Sequence, residues 1–301
     1  MTVRTTMRFA LVLGAGGTAG EAFHRGVLRA LPEVGLDPRS AAVVVGTSAG
    51  SIVAASIRRQ PVAGPAEPVG ERPRPGRLRD RAGALATIRR PRQALNALLL
   101  GPDFVNGRTS AQFIAEALRD SHGQSWPRAA LWIVAVRRGD GHRVVFGRSG
   151  EPVTDVGSAV AASCAIPAYF SPVEIDGTAY VDGGVHSPTN ADLLSSCDLD
   201  LVVISSPMSV RPTALRGPRA DLPLRLLFHR YLRAEVWALR RRGDAVVTIE
   251  PDAAALNLMG LNMMNGQRIV DIERRAYELA RRELSRLRST PGPATAAGPA
   301  S

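Results

Sequence analysis

Apolar residues along this chain fall into short continuous runs separated by longer stretches of helical period. The runs "RFALVLG" (8–14), "AAVVVG" (41–46), "ALWIVAV" (130–136), "LDLVVIS" (199–205) and "DAVVTI" (244–249) predict strands. They are apolar throughout rather than alternating, as expected for strands covered on both faces of a largely parallel sheet. Helical periodicity predicts helices near 20–31, 49–59, 109–119, 221–242 and 266–287. In the last of these, Ile269, Ile272, Ala276 and Leu279 share one face and arginines occupy the others. Strands alternating with helices define an α/β layered architecture. "VEIDGTAYV" (173–181) predicts a hairpin turning at Asp-Gly.

Two segments fall outside this pattern. Residues 60–92 are rich in Pro, Gly and Arg and read as a mobile insertion, either a lid, a contact for anionic lipid or a plain solvated loop. Residues 289–301, "STPGPATAAGPAS", carry no apolar period and are expected to be disordered, leaving one domain over 1–288.

The first predicted strand runs into "GAGGTAG" and then a helix. Gly14, Gly16 and Ala19 fit a dinucleotide fingerprint, which would make the protein a nucleotide-binding oxidoreductase. Free amides at a glycine-fed helix N-terminus serve any anion equally well, a transient one included. The second strand runs into "GTSAGS", matching G-x-S-x-G at Gly46, Ser48 and Gly50. A serine on a tight strand-to-helix turn, flanked by small residues, fits a nucleophile elbow. A dinucleotide site instead wants an acidic residue at the end of that strand to bind ribose. Asp37 lies before the strand, badly placed for that task. Two adjacent strand-to-helix turns, one offering amides and one a serine, suit acyl transfer, with Gly16 and Gly17 holding the oxyanion.

Serine needs a base. The five histidines, His24, His122, His142, His186 and His229, read as helix or surface residues, and none sits in a convincing late loop. The better candidate is Asp182, delivered by the second hairpin strand into the Gly183-Gly184 turn, with His186 held as a reserve base. "LNLMGLNMMN" (256–265) reads as core packing or as an adaptable groove for an acyl chain.

Composition narrows the class further. With 301 residues, 45% hydrophobic and 22% charged, the chain can build a sizeable core. Formal net charge is +11, and all 38 basic residues are arginine. The bland source is codon bias in a GC-rich genome; the functional one is attraction to phospholipid surfaces or nucleic acid. Only 5% of residues are aromatic and no nucleic-acid-binding motif occurs, so nucleic acid is not expected as a partner. Cys164 and Cys197 suggest neither a disulfide scaffold nor a zinc site. No run approaches the roughly 20 apolar residues of a membrane span, and "FALVLGAG" reads as a core strand rather than a signal peptide. The expected location is the cytoplasm, with peripheral membrane contact open.

"GAGGTAG", "GTSAGS", "DGG" at 182–184, and the stretch "ASCAIPAYFSPVEIDGTAYVDGGVHSPTNADLL" together resemble the bacterial patatin-like phospholipases over about residues 8–285. The resemblance implies a three-layer α/β/α sandwich with a mostly parallel sheet. It also implies lipid acyl hydrolysis by a Ser–Asp dyad without histidine, metal or cofactor. Carried over by position, Ser48 is the nucleophile and Asp182 the base. Gly16, Gly17 and Thr18 are the oxyanion donors, and Gly14, Gly20, Gly46, Gly50, Gly183 and Gly184 are the motif glycines. Ala15 and Ala19 depart from the family pattern at the oxyanion turn, and a catalytically silent lipid-binding protein of the same fold remains an alternative.

Overall fold

A computed structural model describes residues 7–59, 110–122, 126–214 and 217–289. The 60–92 insertion and the tail from 290 onward lie outside the described residues. Strands β1 (Phe9–Leu13), β2 (Val43–Thr47), β3 (Ala130–Arg137), β4 (Arg143–Phe146), β5 (Val173–Ile175), β6 (Thr178–Asp182), β7 (Leu201–Ser205) and β8 (Ala245–Ile249) form one sheet. Its order is β5-β6-β3-β2-β1-β7-β8, with β4 paired to β3 off this path. The run from β3 to β8 is parallel, and β4, β5 and β6 are antiparallel. All five strands and the hairpin read from the sequence are present, within two residues at each end.

Helices cover both faces. They are α1 (Gly17–Ala30), α2 (Ala49–Arg58), α3 (Gln112–His122), α4 (Val156–Ser163), α5 (Leu222–Arg240), α6 (Ala253–Met259) and α7 (Ile269–Ser289). Strand alternation divides the core in two. Phe9, Leu11 and Leu13 of β1 point into the layer shared with α1, α2, α4 and α7. Ala10 and Val12 point into the opposite layer, which contains Leu232, Val236 and Leu239 of α5. Because both faces are packed, β1, β2 and β7 are buried along their whole length, which is why their sequence does not alternate. This is a three-layer α/β/α sandwich.

The sequence pattern missed α4. Its residues "VGSAVAAS" are small and apolar all round, so no polar face marks a helical period. It is buried on nearly every side. The short strand β4 was missed for a related reason, being four residues long on a strand edge.

The register on β3 decides what meets at the sheet's centre. Thr47 at the end of β2 pairs with Val134, and Asp182 at the end of β6 pairs with the next residue, Ala135. Strand β4 occupies the opposite edge, where Ile133 and Ala135 pair with Phe146 and Val144. Strands β2 and β6 therefore lie on the same edge of β3 and arrive from opposite directions. Their ends, with Ser48 one residue beyond, are forced together.

Candidate active site

Ser48 lies in the turn between β2 and α2 with φ 54° and ψ −126°. A positive φ is costly for a residue with a Cβ, and persists only where the surroundings impose it. Here they do. The Ser48 N–H donates to Ser163 Oγ (2.9 Å), whose own hydroxyl donates to the Val134 carbonyl (2.6 Å). On the other side, the Ser48 carbonyl accepts from the Ser51 amide (2.8 Å) and the Ser51 hydroxyl (2.6 Å). The turn also needs α2 to cross β1 at backbone contact, since a Cβ on Gly50 would lie 2.0 Å from the Leu13 carbonyl oxygen. Gly46 is pressed against Ser51 in the same way.

Asp182 is 5% exposed and borders the same cavity as Ser48, whose hydroxyl is near enough to favour its charged form. The Asp182 Oδ1 accepts from the Gly184 amide (2.6 Å). Gly183 lets the chain turn against β3, where a Cβ would sit 2.3 Å from the Val134 oxygen. Burial pushes the Asp182 pKa up from 3.8 to about 6, and the nearby Ser48 hydroxyl and the Gly184 amide oppose that rise. Burial is the main cause of that rise; no charged neighbour among the described residues contributes to it.

The glycine turn before α1 is anchored on both sides. Gly14 N–H donates to the Ser205 carbonyl (3.0 Å), Ala15 to Pro188 (2.8 Å), Ala19 to Met263 (2.9 Å) and Gly20 back to Gly16 (2.8 Å). Among the described residues, the amides of Gly16, Gly17 and Thr18 receive no such acceptor. Gly17 has φ 56°, and its Cα faces the Met263 carbonyl at a distance no Cβ could tolerate. Gly16 and Gly17 border the same cavity as Ser48 and Asp182. Thr18, one residue into the helix, is not part of that lining. The 14-residue α1 adds the positive end of its dipole at this point.

The cavity encloses about 410 Å³. Apart from Ser48, Asp182 and the glycine turn its lining is mainly apolar, including Ile166, Tyr169, Leu224, Phe228, Leu261 and Met263. The stretch 256–265 divides between both of its expected roles. Leu256 and Met259 are core residues, whereas Leu261, Met263 and Met264 line the cavity. Ile166 and Tyr169 before the hairpin and Leu224 and Phe228 on α5 escaped the sequence reading. The signal available for them was weak: Tyr169 and Leu224 are among the few large apolar side chains left exposed.

Among the described residues no histidine lines the cavity. His24 is not the ordinary helix residue its sequence position suggested. It is fully buried, with Nε2 2.7 Å from the Gly14 carbonyl and Nδ1 2.8 Å from Ser205 Oγ. Burial lowers its pKa to about 4, so the neutral ring donates from Nε2 to Gly14 and accepts from Ser205. It braces the glycine turn from behind. His186 lines a separate pocket with Asp140, Arg143, Arg148 and Glu151. Asp37 is in the loop before β2, paired with Arg39 at 2.7 Å, and Thr47 ends the strand where a ribose-binding acid would stand. Among the described residues no group of three His, Cys, Asp or Glu side chains could hold a metal ion.

The turn that carries Ser48, the buried Asp182 and the Gly16–Gly17 turn thus meet at one largely apolar cavity of an α/β sandwich. The model of the patatin-like phospholipase family matches residues 11–195, more than half of the chain, and the chain belongs to that family. No curated protein sequence matches it. Among solved structures it is similar to the type III effector protein ExoU, with 16% identity, a TM-score of 0.41, and 93% of this chain and 53% of that one covered. VipD from Legionella pneumophila follows with 12% identity, a TM-score of 0.44, and 94% and 67% coverage. Human GIVD cytosolic phospholipase A2 gives 14% identity, a TM-score of 0.39, and 94% and 59% coverage. The chain thus spans between about half and two thirds of the length of these proteins.

Proposed function

We propose that this protein is a lipid acyl hydrolase that cleaves carboxylic esters through a Ser48–Asp182 dyad. The observation that carries the reading is the meeting of the strained Ser48 turn and the buried Asp182 in one apolar cavity edged by the Gly16–Gly17 amides. Ser48 Oγ attacks the ester carbonyl while Asp182 takes its proton. The oxyanion then accepts hydrogen bonds from Gly16 and Gly17, with Thr18 completing the group of free amides. Collapse breaks the ester C–O bond, and Asp182 returns its proton to the departing alcohol. Water enters, loses a proton to Asp182 and attacks the acyl-enzyme; the fatty acid leaves and the proton returns to Ser48 Oγ. The chemistry asks for no metal and no cofactor.

The apolar lining suits an acyl chain, and its methionines suit chains of varied shape. Lipid specificity and any peripheral contact with anionic membrane belong to the same proposal; the +11 charge supports the second. Two free, buried cysteines fit a reducing compartment such as the cytoplasm. No helix among the described residues is long and apolar enough to cross a membrane.

The test is a panel of phospholipid, lysophospholipid and glyceride substrates, with released fatty acid measured for the protein, Ser48→Ala and Asp182→Asn. Release by the wild type, with at least a thousandfold loss in each variant, is the expected outcome. No release from any substrate, with lipid still bound, would make this a silent lipid-binding protein.

A further inference from the structure

Arg225 has the largest side chain among the fully buried residues described, and the chemistry above makes no use of it. Its position on α5 lies outside the segment matched by the family model. All three guanidinium nitrogens are engaged. Nε donates to Asp221 Oδ2 (2.5 Å), Nη1 to the Pro207 carbonyl (2.8 Å) and Nη2 to Met263 Sδ (3.3 Å).

Pro207 and Met263 are the two walls of the glycine turn. The Pro207 ring packs on one side, so that a Cβ on Gly16 would lie 2.9 Å from Pro207 Cγ. On the other, the Met263 carbonyl receives the Ala19 amide and would lie 2.8 Å from a Cβ on Gly17. Ala19 itself has no polar side chain with which to hold the turn. Asp221 extends the same fastening. It is shared with Arg219, which donates to the carbonyls of Leu256 (3.1 Å) and Gly260 (3.0 Å) and so secures the loop that carries Met263.

We propose that Arg225 is a positioning residue for the Gly16–Gly17 turn: one guanidinium joins the Pro207 wall to the Met263 wall and fixes the amides between them. The inference rests on the reading of those amides as oxyanion donors. Donors act by being held in place before charge develops, so slack between the walls weakens the transition state and leaves substrate binding largely alone.

The experiment compares wild type, Arg225→Met, Arg225→Lys and Asp221→Asn. Turnover of p-nitrophenyl butyrate is measured per active site, titrated to completion with a fluorophosphonate. Hydrogen exchange of the peptide spanning Gly14–Gly20 is followed in parallel, because it reads the clamp without reference to turnover. Arg225→Met keeps the apolar bulk and is expected to lower kcat per titrated site by about 10- to 100-fold, with KM within about threefold. Its pH midpoint should match the wild type, since Asp182 is untouched, and exchange at the turn should accelerate. Arg225→Lys reaches one wall and recovers part of the loss. Asp221→Asn gives a smaller loss, and keeps the question answerable should Arg225→Met fold poorly.

Wild-type kcat per titrated site in Arg225→Met, or unchanged exchange at the turn in both Arg225→Met and Asp221→Asn, would overturn the proposal. Faster exchange in the variants, with no ester hydrolysed by any of the four proteins, would leave the clamp standing and remove the hydrolase reading instead.

Discussion

At the scale of single residues, the site depends on two groups kept in states they would not choose in water. Ser48 occupies a backbone region suited to glycine, a strain of roughly 1–3 kcal/mol. Ser48→Gly should therefore unfold at higher denaturant concentration than wild type, by about 1 kcal/mol, while losing all ester cleavage; Ser48→Ala should show the loss without the gain. Asp182 is the second such group. With its pKa raised to about 6, log(kcat/KM) should rise with unit slope up to about pH 6 and then level off. The same shift acts on stability. Folding raises this pKa, so the carboxyl contributes stability below about pH 4 and loses it as pH rises through 6. Asp182→Asn should thus be more stable than wild type at pH 8, by up to about 3 kcal/mol at roughly 1.4 kcal/mol per pKa unit, and equal to it near pH 4. Thermal unfolding of the pair across that range checks the sign. His24 runs the other way: burial depresses its pKa, and stability is lost as pH falls below 6.5 towards 4.

At the scale of elements, the closeness of Ser48 and Asp182 follows from strand register. Strands β2 and β6 meet end to end on one edge of β3, and Ser163 of α4 joins the meeting point by bonding both the Ser48 amide and the Val134 carbonyl. Ser163→Ala would leave a buried donor and a buried acceptor unpaired, at a cost of about 1–3 kcal/mol. It should reduce turnover more than its stability loss explains, measured as kcat per titrated site beside the unfolding midpoint. The G-x-S-x-G turn and the Asp-Gly-Gly turn were legible in the sequence because each needs small residues at fixed spacing, and spacing is visible in one dimension. Ser163 was not legible. Its helix is made of small residues with no distinct polar face, and its link to Ser48 spans 115 residues. Thr18 marks another limit: the motif includes it, but the first turn of α1 carries it past the cavity lining.

At the scale of the molecule, the alternation of apolar runs and helical stretches was enough for the layered α/β plan, since a buried parallel sheet leaves that signature in every strand. The cavity was not. Its wall is assembled from the loop before the hairpin, the start of α5 and the loop after α6, segments that meet only after folding. Half of "LNLMGLNMMN" went to core and half to cavity because α6 ends at Met259, where Gly260 with φ 68° turns the chain. Replacing Met263 with the smaller Ala should enlarge the cavity and shift acyl-chain preference towards longer or bulkier esters, read from kcat/KM across p-nitrophenyl esters of increasing length. On the proposed attraction of the +11 charge to anionic lipid, raised salt should weaken vesicle binding without changing turnover of a soluble ester.

The claim on which the rest depends is that Ser48 is a nucleophile activated without histidine. Intact-protein mass spectrometry after exposure to a fluorophosphonate tests it most directly. One adduct per chain is expected, located by peptide mapping to Ser48. It should be lost in Ser48→Ala and strongly slowed in Asp182→Asn, but formed in His186→Ala as in wild type. An adduct on another residue, or one formed equally well without the Asp182 carboxylate, would contradict the account.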